Sequence, residues 1–205
     1  MPLPPPSLPA APPVWGAVLA GGKSERMGCD KARMVIGDEP LGHRQMRLLS
    51  GCCARSAAVA PVRPGWLSER DEWVRDSATG AGPVAGILGA LEWAREGAVA
   101  AHVMILAVDM PRASLGLLTS LREGVRPGRG VVTSGDEGFE PLCACYPAEA
   151  FEPLLGRVGA GQNKLQTLVS LLVEDGLMAV RSLSPSEQVD FFNLNTPEDL
   201  ARLEA

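Results

Sequence analysis

From Val14 onward, apolar runs of strand length alternate with longer stretches whose apolar positions recur at helical intervals. The run VWGAVLA over 14–20 shows no alternation and ends at Gly-Gly, the pattern of a strand buried on both faces. A helix is expected over 41–52 and a strand over 56–62. The stretch GPVAGILGALEWAREG, 82–97, opens with Pro83 and closes on Gly97, as a helix does. A second apolar strand, HVMILAVDMP over 102–111, follows and stops at Asp109. Beyond it the pattern predicts a helix over 114–124 and extended segments over 130–134 and 139–147. Helices over 151–157 and 164–174, a strand over 178–183 and a closing helix over 197–203 complete the series. Strands alternating with helices imply a mostly parallel central sheet covered on both sides, a Rossmann-like three-layer α/β sandwich.

The 205 residues are 46% hydrophobic, which suits one domain with a real core. The opening MPLPPPSLPAAPP has neither a basic leader nor a continuous apolar stretch. It reads as a disordered proline-rich tail, 1–13, outside a folded domain of 14–205. A net charge of -5 argues against a general nucleic-acid binder, so any anion site must be local. Nothing in the chain reads as a membrane anchor. The five cysteines lack metal-ligand spacing, and Cys143 and Cys145 in a strand point to one face as buried small residues. Free thiols fit a cytoplasmic setting.

The stretch LAGGKSERMGCDKA, 19–32, supplies the local anion site. Glycines after a strand let backbone N–H groups converge on phosphate oxygens without Cβ interference. The stretch matches neither G-x-x-x-x-G-K-[ST] nor G-x-G-x-x-G. Arg26 and Lys31 add two cations to the same loop. The alternative is a glycine-rich turn with solvated charges, and Asp109 weighs against it. In a parallel sheet the loop after the first strand and the residue ending another central strand emerge at one edge, where ligands bind. A single carboxylate there suits Mg²⁺ shared with substrate phosphates.

The motifs LAGGKSERMGCDKA, GPVAGI, LAVDMP and FNLNTPEDL, in this order from Val14 to Leu203, resemble those of the molybdenum cofactor guanylyltransferases. The first motif alone marks the wider nucleotidyltransferase superfamily, and the DMP tripeptide and the FNLNTPEDL ending narrow it. The resemblance implies transfer of GMP from GTP to molybdopterin or Mo-molybdopterin with release of pyrophosphate. Carried over by position, Leu19, Ala20, Gly21 and Gly22 line the nucleotide and Arg26 and Lys31 hold its phosphates. Asp76, Gly82 and Gly86 contact the nucleotide, Asp109 is the metal ligand, and Asn193 and Asn195 face the pterin. Arg26, Lys31 and Asp109 are the catalytic set. Two departures stand out: the family can carry an asparagine where this chain has AVAPVRPG near Ala60, and the proline-rich segment lies outside the family pattern.

Nucleotidyl transfer needs alignment and charge neutralisation rather than a covalent nucleophile, so His43 and His102 are expected to be structural. Two other functions fit the same residues. One is a cytidylyl or sugar-phosphate transferase on the same scaffold, and the other is a nucleotide-binding regulatory module without turnover. Molybdoenzymes or cofactor-delivery proteins are the partners the resemblance implies.

Overall fold

The computed structural model describes residues 12–21, 30–77, 81–97, 102–135 and 138–204. Residues 1–11 of the expected tail over 1–13, and the loop residues Gly22 and Arg26, lie outside the described residues. The chain enters on strand β1 (Val14–Leu19), all six residues of which are buried. A single 3-10 turn, Lys31–Arg33, leads into a small hairpin of β2 (Val35–Ile36) and β3 (Glu39–Pro40) and then helix α1 (Leu41–Ser50). Strand β4 (Arg55–Ala60), strand β5 (Glu72–Arg75) and helix α2 (Pro83–Glu96) follow. Strand β6 (His102–Ala107), helix α3 (Leu115–Gly124), strand β7 (Gly130–Gly135) and strand β8 (Gly138–Pro147) continue the series. Helices α4 (Phe151–Gly159) and α5 (Leu165–Glu174), strand β9 (Met178–Ser182), the short α6 (Pro185–Gln188) and α7 (Pro197–Glu204) close the chain.

Seven strands form one sheet in the order β5-β4-β1-β6-β8-β7-β9. Every pair is parallel except those made by β8, which runs antiparallel to β6 and to β7. The expected mostly parallel sheet is therefore present, with one reversed strand inside it.

The side chains of each central strand alternate between two separate cores, which is why β1 and β6 read as unbroken apolar runs. One face, including Ala17, Leu19, Val103 and Ile105, packs under α2, α4 and α5 through residues such as Leu88, Leu91, Leu154 and Leu172. The other, including Val14, Val18, Met104 and Leu106, packs under α1 and α3 through Leu49, Leu118 and Leu121. Cys143 and Cys145 fall on this second face, both fully buried, as their spacing predicts. Gly16 lets α1 approach, because a Cβ there would stand 2.8 Å from Leu49 Cβ. Among the described residues no helix is long and apolar enough to cross a membrane.

The strand prediction over 56–62 runs two residues past the observed end at Ala60, where the chain turns out at Pro61. Strand β5 was not expected from the pattern. Its four residues, EWVR, sit on the sheet edge and are only half-buried or exposed, too short and too polar to show a periodicity.

Candidate active site

The carboxyl ends of β1, β4, β5 and β6 open on one edge, and a cleft of about 260 Å³ lies there. It is lined by Leu19, Ala20, Gly21, Asp30, Lys31, Val59, Asp76, Gly82, Pro83, Gly86, Ala107, Val108, Asp109 and Leu142. Eight of the residues singled out in the sequence therefore share one cavity: Leu19, Ala20, Gly21, Lys31, Asp76, Gly82, Gly86 and Asp109.

The glycines explain how backbone reaches the cleft. A Cβ on Gly21 would meet Pro61 Cδ at 3.2 Å and Asp76 Oδ2 at 3.8 Å, and one on Gly86 would meet Leu19 Cδ2 at 3.1 Å. Gly82 caps α2 at φ 62° and ψ -145°, a conformation that a side chain would strain, and Pro83 starts the helix behind it. The helix start thus brings Gly82, Pro83 and Gly86 to the cavity wall. Asp76 is set by a contact the sequence did not reveal. Gly89 of α2 lies so close to the end of β5 that a Cβ would stand 2.6 Å from Arg75 O and 2.9 Å from Asp76 Cα. The Ser77 N–H also donates to Ala85 O at 3.2 Å. A glycine inside a predicted helix, three residues after Gly86, is the signal that marks such a contact.

Lys31 opens a 3-10 turn whose start is capped by Asp30, with Ala32 N–H donating to Asp30 Oδ1 at 3.0 Å. Ala32 is buried with Ala58 and Trp66, which anchors the turn to the sheet. From there the Lys31 ammonium donates to Asp109 Oδ2 at 3.0 Å and to Asn195 Oδ1 at 2.8 Å. The lysine and aspartate side chains are 15% and 25% exposed, so the pair sits at the cavity mouth. Asp109 follows β6, and its approach is fixed by Val108 N–H donating to Leu19 O at 3.1 Å. Helix α1 holds the next residues: Gln45, itself buried, donates to Met110 O at 2.7 Å, and Arg44 donates to Ala113 O at 2.9 Å. Burial pulls the Arg44 guanidinium below its usual basicity, although it stays charged. Ser114, not Asp109, caps α3, so the aspartate is left to the cavity.

The asparagine segment reaches the same edge from the other end of the chain. Leu194 is fully buried and its N–H donates to Asp109 O at 2.8 Å, which exposes Asn193 and Asn195 on either side of it. Asp199 accepts from the Asn195 and Thr196 N–H groups at 2.9 Å each, fixing the start of α7. Those hydrogen bonds, the one from Asn195 first, hold the Asp199 carboxyl below the usual carboxylate range. The structure brings Asn195 onto Lys31. Asn193 does not join it: its amide turns back to Phe191 O at 3.5 Å.

At Ala60 the side chain is a buried methyl, and Ala60 O accepts from Trp73 Nε1 at 3.1 Å. The carbonyl of this position is thereby used within the fold. The two histidines lie off the cleft. His43 contacts Trp66 O at 2.7 Å on α1, and His102 starts β6 at the opposite edge, where burial lowers its basicity. Among the described residues no group of three or more His, Cys, Asp or Glu side chains could hold a metal ion by itself. A single carboxylate beside a cation and a glycine-lined cleft suits a hard divalent ion that arrives on phosphates and keeps its waters.

The family described as "MobA-like NTP transferase domain" matches residues 16–175. A probable molybdenum cofactor guanylyltransferase of Opitutus terrae is 40% identical over 188 residues, 91% of this chain and 93% of that protein. The molybdenum cofactor guanylyltransferase of Rhizobium johnstonii is 31% identical over 196 residues, 93% of this chain and 91% of that protein. Among solved structures, molybdopterin-guanine dinucleotide biosynthesis protein A of Archaeoglobus fulgidus superposes with a TM-score of 0.75 at 27% identity, covering 93% of this chain and 96% of that one. With its cleft at the carboxyl edge of the parallel strands and these relatives along nearly its whole length, the chain belongs to the MobA-like NTP transferases.

Proposed function

We propose that the chain transfers GMP from GTP to the molybdopterin cofactor, forming the guanine dinucleotide cofactor and pyrophosphate. The observation that carries this reading is the convergence in one cleft of Leu19, Ala20 and Gly21, Asp76, the Gly82–Gly86 helix start, Lys31 and Asp109. Relatives named for this activity supply the substrate assignment. Residues 14–205 act as the nucleotidyltransferase domain, with the proline-rich segment 1–13 outside it.

In the reaction an acceptor phosphate oxygen bonds to the α-phosphorus as the bond from that phosphorus to the bridging oxygen breaks, and pyrophosphate leaves with its electron pair. Leu19, Ala20, Gly21, Gly22, Asp76, Gly82 and Gly86 position the nucleotide, the helix start offering N–H groups and its dipole to negative charge. Arg26 and Lys31 neutralise the phosphates and the departing pyrophosphate. Asp109 is the ligand for Mg²⁺, which when bound supplies charge neutralisation at the phosphates. Asn195, with Asn193 beside it, orients the acceptor next to Lys31. Both substrates are aligned by fixed groups, so proximity carries much of the catalysis. The free cysteines, Cys52, Cys53, Cys143 and Cys145 among the described residues, suit a reducing cytoplasm. Molybdoenzymes or delivery proteins are the proposed receivers of the product.

Calorimetric titration of the full chain with GTP, CTP, ATP and UTP in Mg²⁺, followed by pyrophosphate release with molybdopterin added, tests the reading. GTP is expected to bind at least about tenfold more tightly than the others, about 1.4 kcal/mol. Preference for CTP would replace the guanylyl reading with a cytidylyl one. Tight GTP binding without pyrophosphate release would leave a nucleotide-binding module.

A further inference from the structure

The Lys31 ammonium occupies an oxygen of the aspartate that the proposed reaction assigns to a metal. It donates to Asp109 Oδ2 at 3.0 Å and to Asn195 Oδ1 at 2.8 Å, so one cation ties the metal ligand to the acceptor-side segment. Among the described residues no other side chain bonds to the Asp109 carboxylate. The anchor is fixed while the side chain has reach: Ala32, the next residue, is buried with Trp66, whereas four methylenes separate the Lys31 backbone from its ammonium. The ammonium has three protons, and two are spent on Asp109 and Asn195.

We propose that Lys31 is an internal counter-ion that guards Asp109 until nucleotide arrives, so that a divalent cation must compete with the lysine for the charge of the carboxylate. The inference deepens the nucleotidyltransferase reading and rests on it. A bare carboxylate at the mouth of the cleft would repel a polyphosphate, and in a chain of net charge -5 that repulsion would oppose entry. With Lys31 on it, Asp109 is neutralised and the mouth stays receptive. A lone divalent ion pays for displacing the ammonium, whereas an ion arriving on a triphosphate gives the ammonium a new anionic partner within its reach. The exchange also removes Lys31 from Asn195, which frees that carbonyl for the acceptor after the nucleotide is in place. A purely structural ion pair would have none of these consequences.

The test is a Mn²⁺ titration of the full chain without nucleotide, read from the electron-spin resonance signal of free Mn²⁺. Lys31→Met should bind Mn²⁺ at least about tenfold more tightly than the wild-type protein, equivalent to about 1.4 kcal/mol. Adding Asp109→Asn to that variant should abolish the gain. Lys31→Gln should repeat it, which covers failure of the methionine variant to fold, and Lys31→Arg should restore wild-type affinity. Mn²⁺ binding by Lys31→Met and Lys31→Gln no tighter than wild type overturns the proposal, as does a gain that survives Asp109→Asn. A parallel GTP titration of the wild-type protein separates the two levels. If GTP binds and the Mn²⁺ gain is missing, the guard fails while the enzyme reading stands. If GTP does not bind, the enzyme reading fails first.

Discussion

Strand β1 has a charged cluster at each end, and the two are built for opposite purposes. At its amino end Arg55 grips Glu72 in a two-pronged ion pair, with Nε to Oε2 at 2.7 Å and Nη2 to Oε1 at 2.5 Å. The same guanidinium lies over the rings of Trp15 and Trp93 at 4.7 and 5.3 Å, and Trp93 Nε1 donates to Glu72 at 2.9 Å. At the carboxyl end Lys31 holds Asp109 through one oxygen and turns a second proton to Asn195. The cleft pair is the more buried of the two: Lys31 and Asp109 are 15% and 25% exposed, against 48% and 30% for Arg55 and Glu72. The difference lies in what fills the polar valences. Glu72 accepts three hydrogen bonds from protein donors and the Arg55 guanidinium lies against two rings, so most of that cluster's bonding is spent within the fold. Asp109 keeps unused acceptor capacity facing a cavity.

The comparison breaks most sharply if the lower cluster is removed. Trp93→Ala empties a buried site beneath Trp15, whose ring lies 4.6 Å away, and strips Glu72 of a donor. It should cost roughly 3–5 kcal/mol of stability in urea titration, in the range of large aromatic truncations. The folded fraction should keep its kcat/KM. A matching loss of catalysis would mean that the lower cluster governs the cleft geometry.

At the upper cluster the loss should fall on turnover. Asp109→Asn keeps the shape of the side chain and the main-chain bond from Leu194, so its melting temperature should stay within a few degrees of wild type. Its Mg²⁺-dependent turnover should fall on the order of 10²–10³-fold, as when a preorganised charge-stabilising group is lost. Near-normal turnover in the folded variant removes Asp109 from the reaction. Lys31→Ala should lower kcat/KM about 10²-fold while weakening GTP binding by less, since a contact that strengthens as pyrophosphate leaves acts on rate. Equal losses would show that the lysine only attracts the nucleotide. Steady-state kinetics beside direct titration measure both.

The chain disclosed its two ends unequally. The upper cluster, at the carboxyl end of β1, was partly legible because some of its residues are punctuation: glycines after an apolar run and a carboxylate at the stop of HVMILAVDMP, whereas the asparagines of FNLNTPEDL came only from the family resemblance. Each is out of place in a strand or helix unless something binds there. The link between Lys31 and Asn195, 164 residues apart, was not legible, because it depends on Leu194 docking on the end of β6. Strand β5 was also missed. An edge strand of four half-exposed residues has no periodicity, and the glycine that seats it, Gly89, lies in another element. The lower cluster left no trace at all, since Trp15, Arg55, Glu72 and Trp93 come from four elements and none interrupts its local pattern.

The smallest expected effect isolates the stacking and fork geometry that closes the lower cluster. Arg55→Lys preserves the charge, yet a lysine cannot present two parallel donors to Glu72, nor lie as a flat guanidinium across Trp15 and Trp93. Because Arg55 is about half exposed, solvent screens much of its Coulomb attraction, and the shared positive charge contributes little to the difference. What remains is the second hydrogen bond and the ring contact, together about 1 kcal/mol. For a chain of this size that lowers the melting temperature by about 2–4 °C. Differential scanning calorimetry should resolve it, with kcat/KM unchanged. A shift within error would mean that charge alone closes the cluster, and the contrast between a filled and an open ion pair would then rest on Asp109 and its cavity.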